Sequence, residues 1–140
     1  MLRAVLDANV YISAAIRPKG PPGQIVGRFL REASFEIVIS PAIVDEVLRA
    51  LRYPGVRKHI RAEVELDAWF TGIVLLADLV AGDYVLRGIS EDSDDDKYLA
   101  AAVEGRATYV VSGDPHLLDV GEHAGIRIIK PRKFLETLRR

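Results

Sequence analysis

Four carboxylates carry the chemical interest of this 140-residue chain: Asp7, Glu46, Asp96 and Asp114. Asp7 closes the short apolar run from Leu2 to Leu6, and Asp114 follows Tyr109-Val110-Val111-Ser112-Gly113. Asp96 precedes Leu99 and Ala100 by three and four residues, which puts it on the inward stripe of a helix. Glu46 falls in the second turn of the helix after the second β-branched run. Acids from four separate segments that meet on one rim repel and raise one another's pKa, so they persist beside a cation. Oxygen-only ligation suits Mg2+ or Mn2+. No basic residue stands out among them to neutralise the charge.

Each acid also has an ordinary structural reading. Asp7 and Asp114 (the latter before Pro115) suit helix N-caps, and helix starts favour acids through the dipole. Glu46 lies off the stripe of Val44, Val47, Leu48 and Leu51, as a solvated surface acid does. Glu91, Asp92, Asp94, Asp95 and Asp96 put five acids in six positions, more than one helix start requires. The joint pattern favours chemistry over capping alone.

The elements that must position these groups alternate in type. Apolar strands are expected at Leu2–Leu6, Phe35–Ile39, about Leu79-Val80, Thr108–Val111 and Ile126–Ile129. Helices are expected over Gln24–Ala33, from Ser40-Pro41 to a stop at Tyr53-Pro54-Gly55, from Arg57 to about Ala77, from Asp94 or Asp95 to Gly105, from Asp114-Pro115, and from Pro131. Short apolar strands alternating with amphipathic helices predict a three-layer α/β/α domain over residues 1–140, with a central parallel sheet of four or five strands. In such sheets ligands bind beyond the carboxyl ends of the strands, where these acids fall.

Composition excludes several classes. There is no cysteine, so disulfides, thiol catalysis and cysteine-based metal sites are out. His59, His116 and His123 are too scattered for a histidine metal site. The N-terminus meets an acid too early for a signal peptide, and no apolar run approaches the ~18 residues of a membrane span. A cytoplasmic protein with no membrane association is expected. The 19 Lys and Arg against 20 Asp and Glu exclude a strongly basic tail. Setting aside Asp7, Glu46, Asp92, Asp94, Asp95, Asp96 and Asp114 leaves 13 acids against the same 19 bases, a moderately basic surround for an acidic pocket. Arg49, Arg52, Arg57, Lys58 and Arg61 cluster around one helix turn and would hold phosphates, or form an ordinary solvated surface. Tyr11 and Tyr98 lie beside the acids, either as base-stacking rings or as core edge.

Four motifs, in order and spanning the chain, carry a family resemblance. They are Val5-Leu6-Asp7-Ala8-Asn9-Val10-Tyr11-Ile12-Ser13, Ser40-Pro41-Ala42-Ile43-Val44-Asp45-Glu46-Val47, Asp92-Ser93-Asp94-Asp95-Asp96-Lys97-Tyr98-Leu99-Ala100-Ala101-Ala102, and Tyr109-Val110-Val111-Ser112-Gly113-Asp114-Pro115-His116-Leu117-Leu118. The sequence resembles the PIN-domain family, in particular its VapC-like toxin and ribonuclease subgroup. The family's four acids fall on Asp7, Glu46, Asp96 and Asp114. Many members carry a further acid two residues after the fourth, where this chain has His116, read here as a spectator.

The resemblance implies a metal-dependent endoribonuclease, the toxin of a type II toxin–antitoxin pair. Asp7, Asp96 and Asp114 would hold Mg2+ or Mn2+, with Glu46 completing the set or orienting the attacking water. Asn9, Ser13 and Ser112 would steady the carboxylates; Asp92 and Asp94 are capping residues first. Arg49, Arg52 and Lys58 would contact RNA. A small antitoxin protein and a homodimer or higher oligomer are the partners implied. The contrasting reading is a catalytically silent PIN-like module that binds RNA or protein. A receiver-type phosphotransfer domain, a dinucleotide-binding fold and a haloacid-dehalogenase-like phosphatase each lack a required residue: the lysine after Val111, the G-x-G-x-x-G after the first strand, and a second acid at Asn9.

Overall fold

A computed structural model describes residues 1–62 and 64–139 of the chain. Strand β1 (Arg3–Leu6) is buried from Ala4 onward, and Asp7 turns the chain directly into α1 (Ala8–Ile16). Helix α2 (Pro21–Glu32) begins on two prolines and ends at Ala33 in the left-handed region, leading to β2 (Glu36–Ile39). Ser40 then caps α3 (Pro41–Leu51), its Oγ accepting from the Ile43 amide with Pro41 at the first helical position.

The continuous helix expected from Arg57 to about Ala77 is instead two pieces. Pro54 opens a single turn, α4 (Pro54–Arg57), and α5 (Leu66–Leu76) follows after a break. Proline needs no amide partner at a helix start, so Pro54 begins a turn as readily as it ends α3. Glu63, within the expected helix, lies outside the described residues.

A two-residue strand β3 (Asp78–Leu79), a long extended segment and a 3-10 turn (Ser93–Asp95) lead into α6 (Asp96–Glu104). Then come β4 (Tyr109–Val111), α7 (Pro115–Val120), β5 (Glu122–His123), β6 (Ile126–Ile129) and α8 (Pro131–Leu138).

The strands form one sheet in the order β3-β2-β1-β4-β6-β5. The first five run parallel, as expected; β5 adds an antiparallel sixth at the edge. Ala124 and Gly125 join β5 to β6 with both φ values positive (52° and 81°), as a tight two-residue hairpin requires. Glu122-His123 has no apolar signal, so the sequence pattern passes over this strand. Helices flank the sheet: α6 lies against β1, β2, β4 and β6, while α1, α2, α3, α5 and α8 pack successively on one another. The fold is the expected three-layer α/β/α arrangement.

The chain runs outward from β1 to β2 and β3 on one side, and returns through β4 to β6 on the other. The order therefore reverses between β1 and β4, which pair with Leu6 opposite Val111. That reversal opens a crevice beyond the carboxyl ends of both strands. Asp7 and Ser112, each one residue further along, sit side by side at its mouth.

Candidate active site

The Asp7 backbone continues the ladder, donating its amide to the Val111 carbonyl at 3.1 Å. Its side chain caps α1: Oδ1 accepts from the Val10 amide at 3.0 Å. The other oxygen, Oδ2, accepts from the Ser112 hydroxyl. Asp7 is only 3% exposed, and burial pushes its carboxyl above the usual carboxylate range. The Ser112 bond and the Val10 and Asn9 amides pull it back, while the nearby charge of Asp114 pushes it up further. Capping and chemistry are thus compatible, because capping occupies one oxygen.

Ser112 is fully buried, and its Oγ also accepts from the Asp114 amide at 2.9 Å. Asp114 caps α7, Oδ1 accepting from the His116 amide at 2.9 Å. The His116 ring turns outward to Glu91, with Nδ1 3.2 Å from Oε2.

The third acid in this group is Asp95. Its carboxyl is pushed up to about 7, by burial first, then by contact with the Asp114 carboxylate and by the charges of Asp114, Asp92 and Asp7. The residue is 8% exposed and no donor reaches Oδ2. Two carboxyls side by side in this way share a proton or require a cation.

Asp96 lies elsewhere. Its Oδ1 accepts from the Ser90 amide at 2.7 Å and Oδ2 from the Ile89 amide at 3.3 Å. It lines a cavity of about 510 Å³ with Ser40, Asp45, Tyr84, Lys97 and Glu104, beside the acid crevice. The sequence stripe correctly turns Asp96 inward, where it is 2% exposed. The 3-10 turn before α6 is what also buries Asp95, and helical periodicity carries no signal of it.

Glu46 is held from the other flank. Its Oε1 accepts from the Tyr98 hydroxyl and pairs with Lys97 Nζ at 2.8 Å. Tyr98 also accepts from the Ala8 amide at 3.2 Å, so it links Glu46 to the residue after Asp7. Burial and the Glu46 bond raise the Tyr98 phenol well above its ordinary value. Contrary to the sequence expectation, a basic residue does reach this set: Lys97, from the turn beside Asp96.

Other expected participants are dispersed. Asn9 is exposed and contributes its backbone amide to Asp7. Ser13 is half-buried and lines a separate cavity with Ile16, Arg17 and His59. Tyr11 is fully buried with its ring edge-on to Phe70 at 5.2 Å, and Tyr98 is 3% exposed, so both belong to the core and neither ring is open to a base. Arg49 donates to the Asp45 carbonyl of its own helix, Arg52 pairs with Asp67 at 3.3 Å, and Lys58 is exposed. Asp92 caps the 3-10 turn through the Asp94 amide at 3.1 Å.

Among the described residues no group of three or more acids or histidines closes a metal site as it stands. The residues nevertheless suit a divalent cation. Asp7, Asp95 and Asp114 offer oxygen donors only, and a buried oxygen of Asp95 has no other partner.

A doubly wound parallel sheet with acids gathered at its switch point defines a class of protein, and sequence comparison gives the family. The PIN domain model matches residues 3–116, and the chain belongs to that family. Its members are generally nucleases that use divalent metals. An uncharacterized protein of Methanocaldococcus jannaschii is 25% identical, covering 96% of this chain and 90% of its own. Among solved structures, the chain resembles VapBC2 from Rickettsia felis bound to a DNA fragment from their promoter, with a TM-score of 0.59. That match covers 92% of this chain and 98% of the other at 9% identity, and it shows a common fold. No helix among the described residues is long and apolar enough to cross a membrane.

Proposed function

We propose that this chain is a Mg2+- or Mn2+-dependent endoribonuclease, the toxin of a type II toxin–antitoxin pair, with a small antitoxin and a second copy of itself as partners. The observation that carries the reading is the Asp7–Ser112–Asp114 linkage at the switch point, with a further buried carboxylate against Asp114. Family membership supports a nuclease, and the shared fold with a VapBC2 chain supports the toxin reading.

Asp7 and Asp114 would hold the cation, with Asp96 or its neighbour Asp95 as third acid and Glu46 on the opposite flank. A bound divalent cation supplies Lewis acidity toward the phosphoryl group and activates water for in-line attack. The protein's own part is positioning. Ser112 fixes Asp7 against Asp114, and Tyr98 fixes Glu46 against the start of α1. Arg49, Arg52 and Lys58 would take the RNA backbone. Arg52 exchanges an exposed partner, Asp67, for a phosphate at little cost.

The test is cleavage of assorted RNAs by purified protein with Mg2+ or Mn2+, beside Asp7→Asn and Asp114→Asn. Cleavage by the parent and loss in both variants supports the site. Equal cleavage by all three proteins assigns the activity to a contaminant. Tight RNA binding without cutting under either metal supports the silent binding module. The toxin assignment is tested by co-expression with a small protein encoded beside this one: a stable, inactive complex is expected.

A further inference from the structure

Resting on the nuclease reading, we infer that the cavity of about 510 Å³ beside the acid crevice is a base pocket. In it Tyr84 stacks an unpaired RNA base next to the cleaved phosphate, and the Asp45 carboxylate selects guanine. The volume falls within the ~300–1,000 Å³ of small-ligand sites. One wall is the extended segment between β3 and α6, which two carboxylates of α6 hold in place. Glu104 accepts the Gly82 amide at 3.1 Å and the Tyr84 amide at 3.2 Å, while Asp96 accepts those of Ile89 and Ser90. Gly82 (φ 83°) passes the start of α3 so closely that a Cβ there would stand 3.2 Å from Pro41 Cδ. The wall is thus built before any ligand arrives. Unlike Tyr11 and Tyr98, Tyr84 is 45% exposed, and its backbone belongs to the anchored part. Between Lys97 and Glu104, α6 lines the cavity with Ala100 and Ala101 alone, which leaves room for a flat ring.

The free polar groups select the base. Of the acids lining the cavity, Asp96 and Glu104 are spent on amides, and no described residue reaches the side chain of Asp45 or Asp94. Asp94 stands in the three-residue 3-10 turn, whereas Asp45 rides on α3, anchored by buried Ile43 and Val47. Rigid elements give the more exact contact. A carboxylate offers two acceptors side by side. Guanine alone among the four bases presents two adjacent donors on its Watson–Crick edge, N1–H and N2–H2, with the O6 acceptor beside them. Lys97 also lines the cavity; one of its three donors goes to Glu46 at 2.8 Å, and the others remain for O6. Glu46 is bonded through Tyr98 to the Ala8 amide, next to Asp7, so the same lysine borders cavity and crevice. A nucleotide with its phosphate at the acids carries its base one sugar away.

The test titrates the 15N-labelled full chain with GMP, IMP, AMP, CMP and UMP in chelator, and maps cleavage of a mixed-sequence RNA with Mn2+. GMP is expected to shift the amides of Gly82, Tyr84 and Ala101, with a midpoint at least about tenfold below the other four. IMP, which lacks only the N2 amine, belongs with the weak binders. Asp45→Asn should level the five nucleotides. Tyr84→Ala should weaken all of them by about tenfold and raise KM for RNA while kcat holds, and Tyr84→Phe should restore both. Both side chains are exposed, so the variants should melt with the parent. Cuts by the parent should fall beside guanine, and those by Asp45→Asn should lose that preference.

Shifts confined to other surfaces, equal midpoints for GMP and IMP, a preference kept in Asp45→Asn, or Tyr84→Ala matching the parent overturns the assignment. Parent protein that cleaves RNA without guanine preference and shows no GMP shifts overturns the pocket and leaves the nuclease reading intact. GMP bound at these residues by a parent that cuts no RNA supports the pocket and overturns the nuclease reading. Neither binding nor cleavage overturns both.

Discussion

Ser112 donates its hydroxyl proton to Asp7 while the same oxygen accepts from the Asp114 amide at 2.9 Å. The amide has a proton only to give, so the hydroxyl's own proton must point to Asp7. One fully buried serine thus fixes the separation of two acids that would otherwise repel. It works because β1 and β4 are paired neighbours that end level.

Ser112→Ala should therefore cost more than a lost surface contact. It strips a donor from a buried carboxylate and leaves the Asp114 amide short of its acceptor. A loss of about 1.5–3 kcal/mol is expected from urea denaturation, the range for a hydrogen bond to a charged group. RNA cleavage should fall with it, through misplacement of Asp7. An alanine variant as stable as the parent would show that water replaces the hydroxyl.

Asp95 makes stability depend on pH with a definite sign. Its folded pKa, about 7, lies above the ordinary aspartate value of 3.8. The folded state therefore holds a proton that the unfolded chain has released, and this group's stabilising contribution is present below pH 3.8. That contribution is lost as pH rises from there through about 7. Thermal melts in chelator should show stability declining across this window, and Asp95→Asn should flatten the decline. A profile that is flat in the parent, or equally steep in the variant, would contradict the buried contact with Asp114.

What was legible in the sequence follows from the range of each interaction. The strands at Arg3–Leu6 and Tyr109–Val111, the Ser40-Pro41 helix start and the caps at Asp7 and Asp114 are local, written within a few consecutive residues. The five parallel strands follow from that alternation. Other features were not legible, the edge strand β5 among them. The 3-10 turn at Ser93–Asp95 rotates the acidic run by an amount no helical period specifies. Lys97 reaches Glu46 across some fifty positions of sequence, through contact between α3 and α6. The acids and bases of the sequence between α4 and α5 carry no period that reveals where one stops and the other begins.

Tyr98 offers a test of the opposite flank. Its hydroxyl donates to Glu46 and accepts from the Ala8 amide, and the ring is buried. Tyr98→Phe keeps the packing but removes both bonds. A cost of about 1–2 kcal/mol is expected, since the Ala8 amide loses its acceptor near the N-terminus of α1. Glu46 should keep Lys97 and lose its fixed orientation. Under the proposed function the variant slows cleavage and leaves RNA affinity unchanged. A rate equal to the parent's at reduced stability would make Tyr98 a structural bridge alone.

Arg3 provides the control, because it lies at the far end of β1, four residues or about 13 Å of strand from Asp7. Its guanidinium donates to Glu36 of β2, Asp78 of β3 and the Gly105 carbonyl at the end of α6. The approach there is close: a Cβ on Gly105 would lie 2.3 Å from Val38 Cγ1. Arg3→Met keeps an unbranched stem but removes every donor, leaving Glu36 and Asp78 to repel each other across two adjacent strands. Because these acids are partly exposed, solvent screens much of the effect, and a loss of about 1 kcal/mol is expected. It should be concentrated at the edge, where β3 has only two residues. Hydrogen exchange of the Val80 amide, bonded to the Ile39 carbonyl at 2.9 Å, should quicken, while that of Asp7 on Val111 stays slow. Cleavage per folded molecule should match the parent. Loss of cleavage in this variant, with the fold retained, would mean that the edge strand and the acid crevice are coupled.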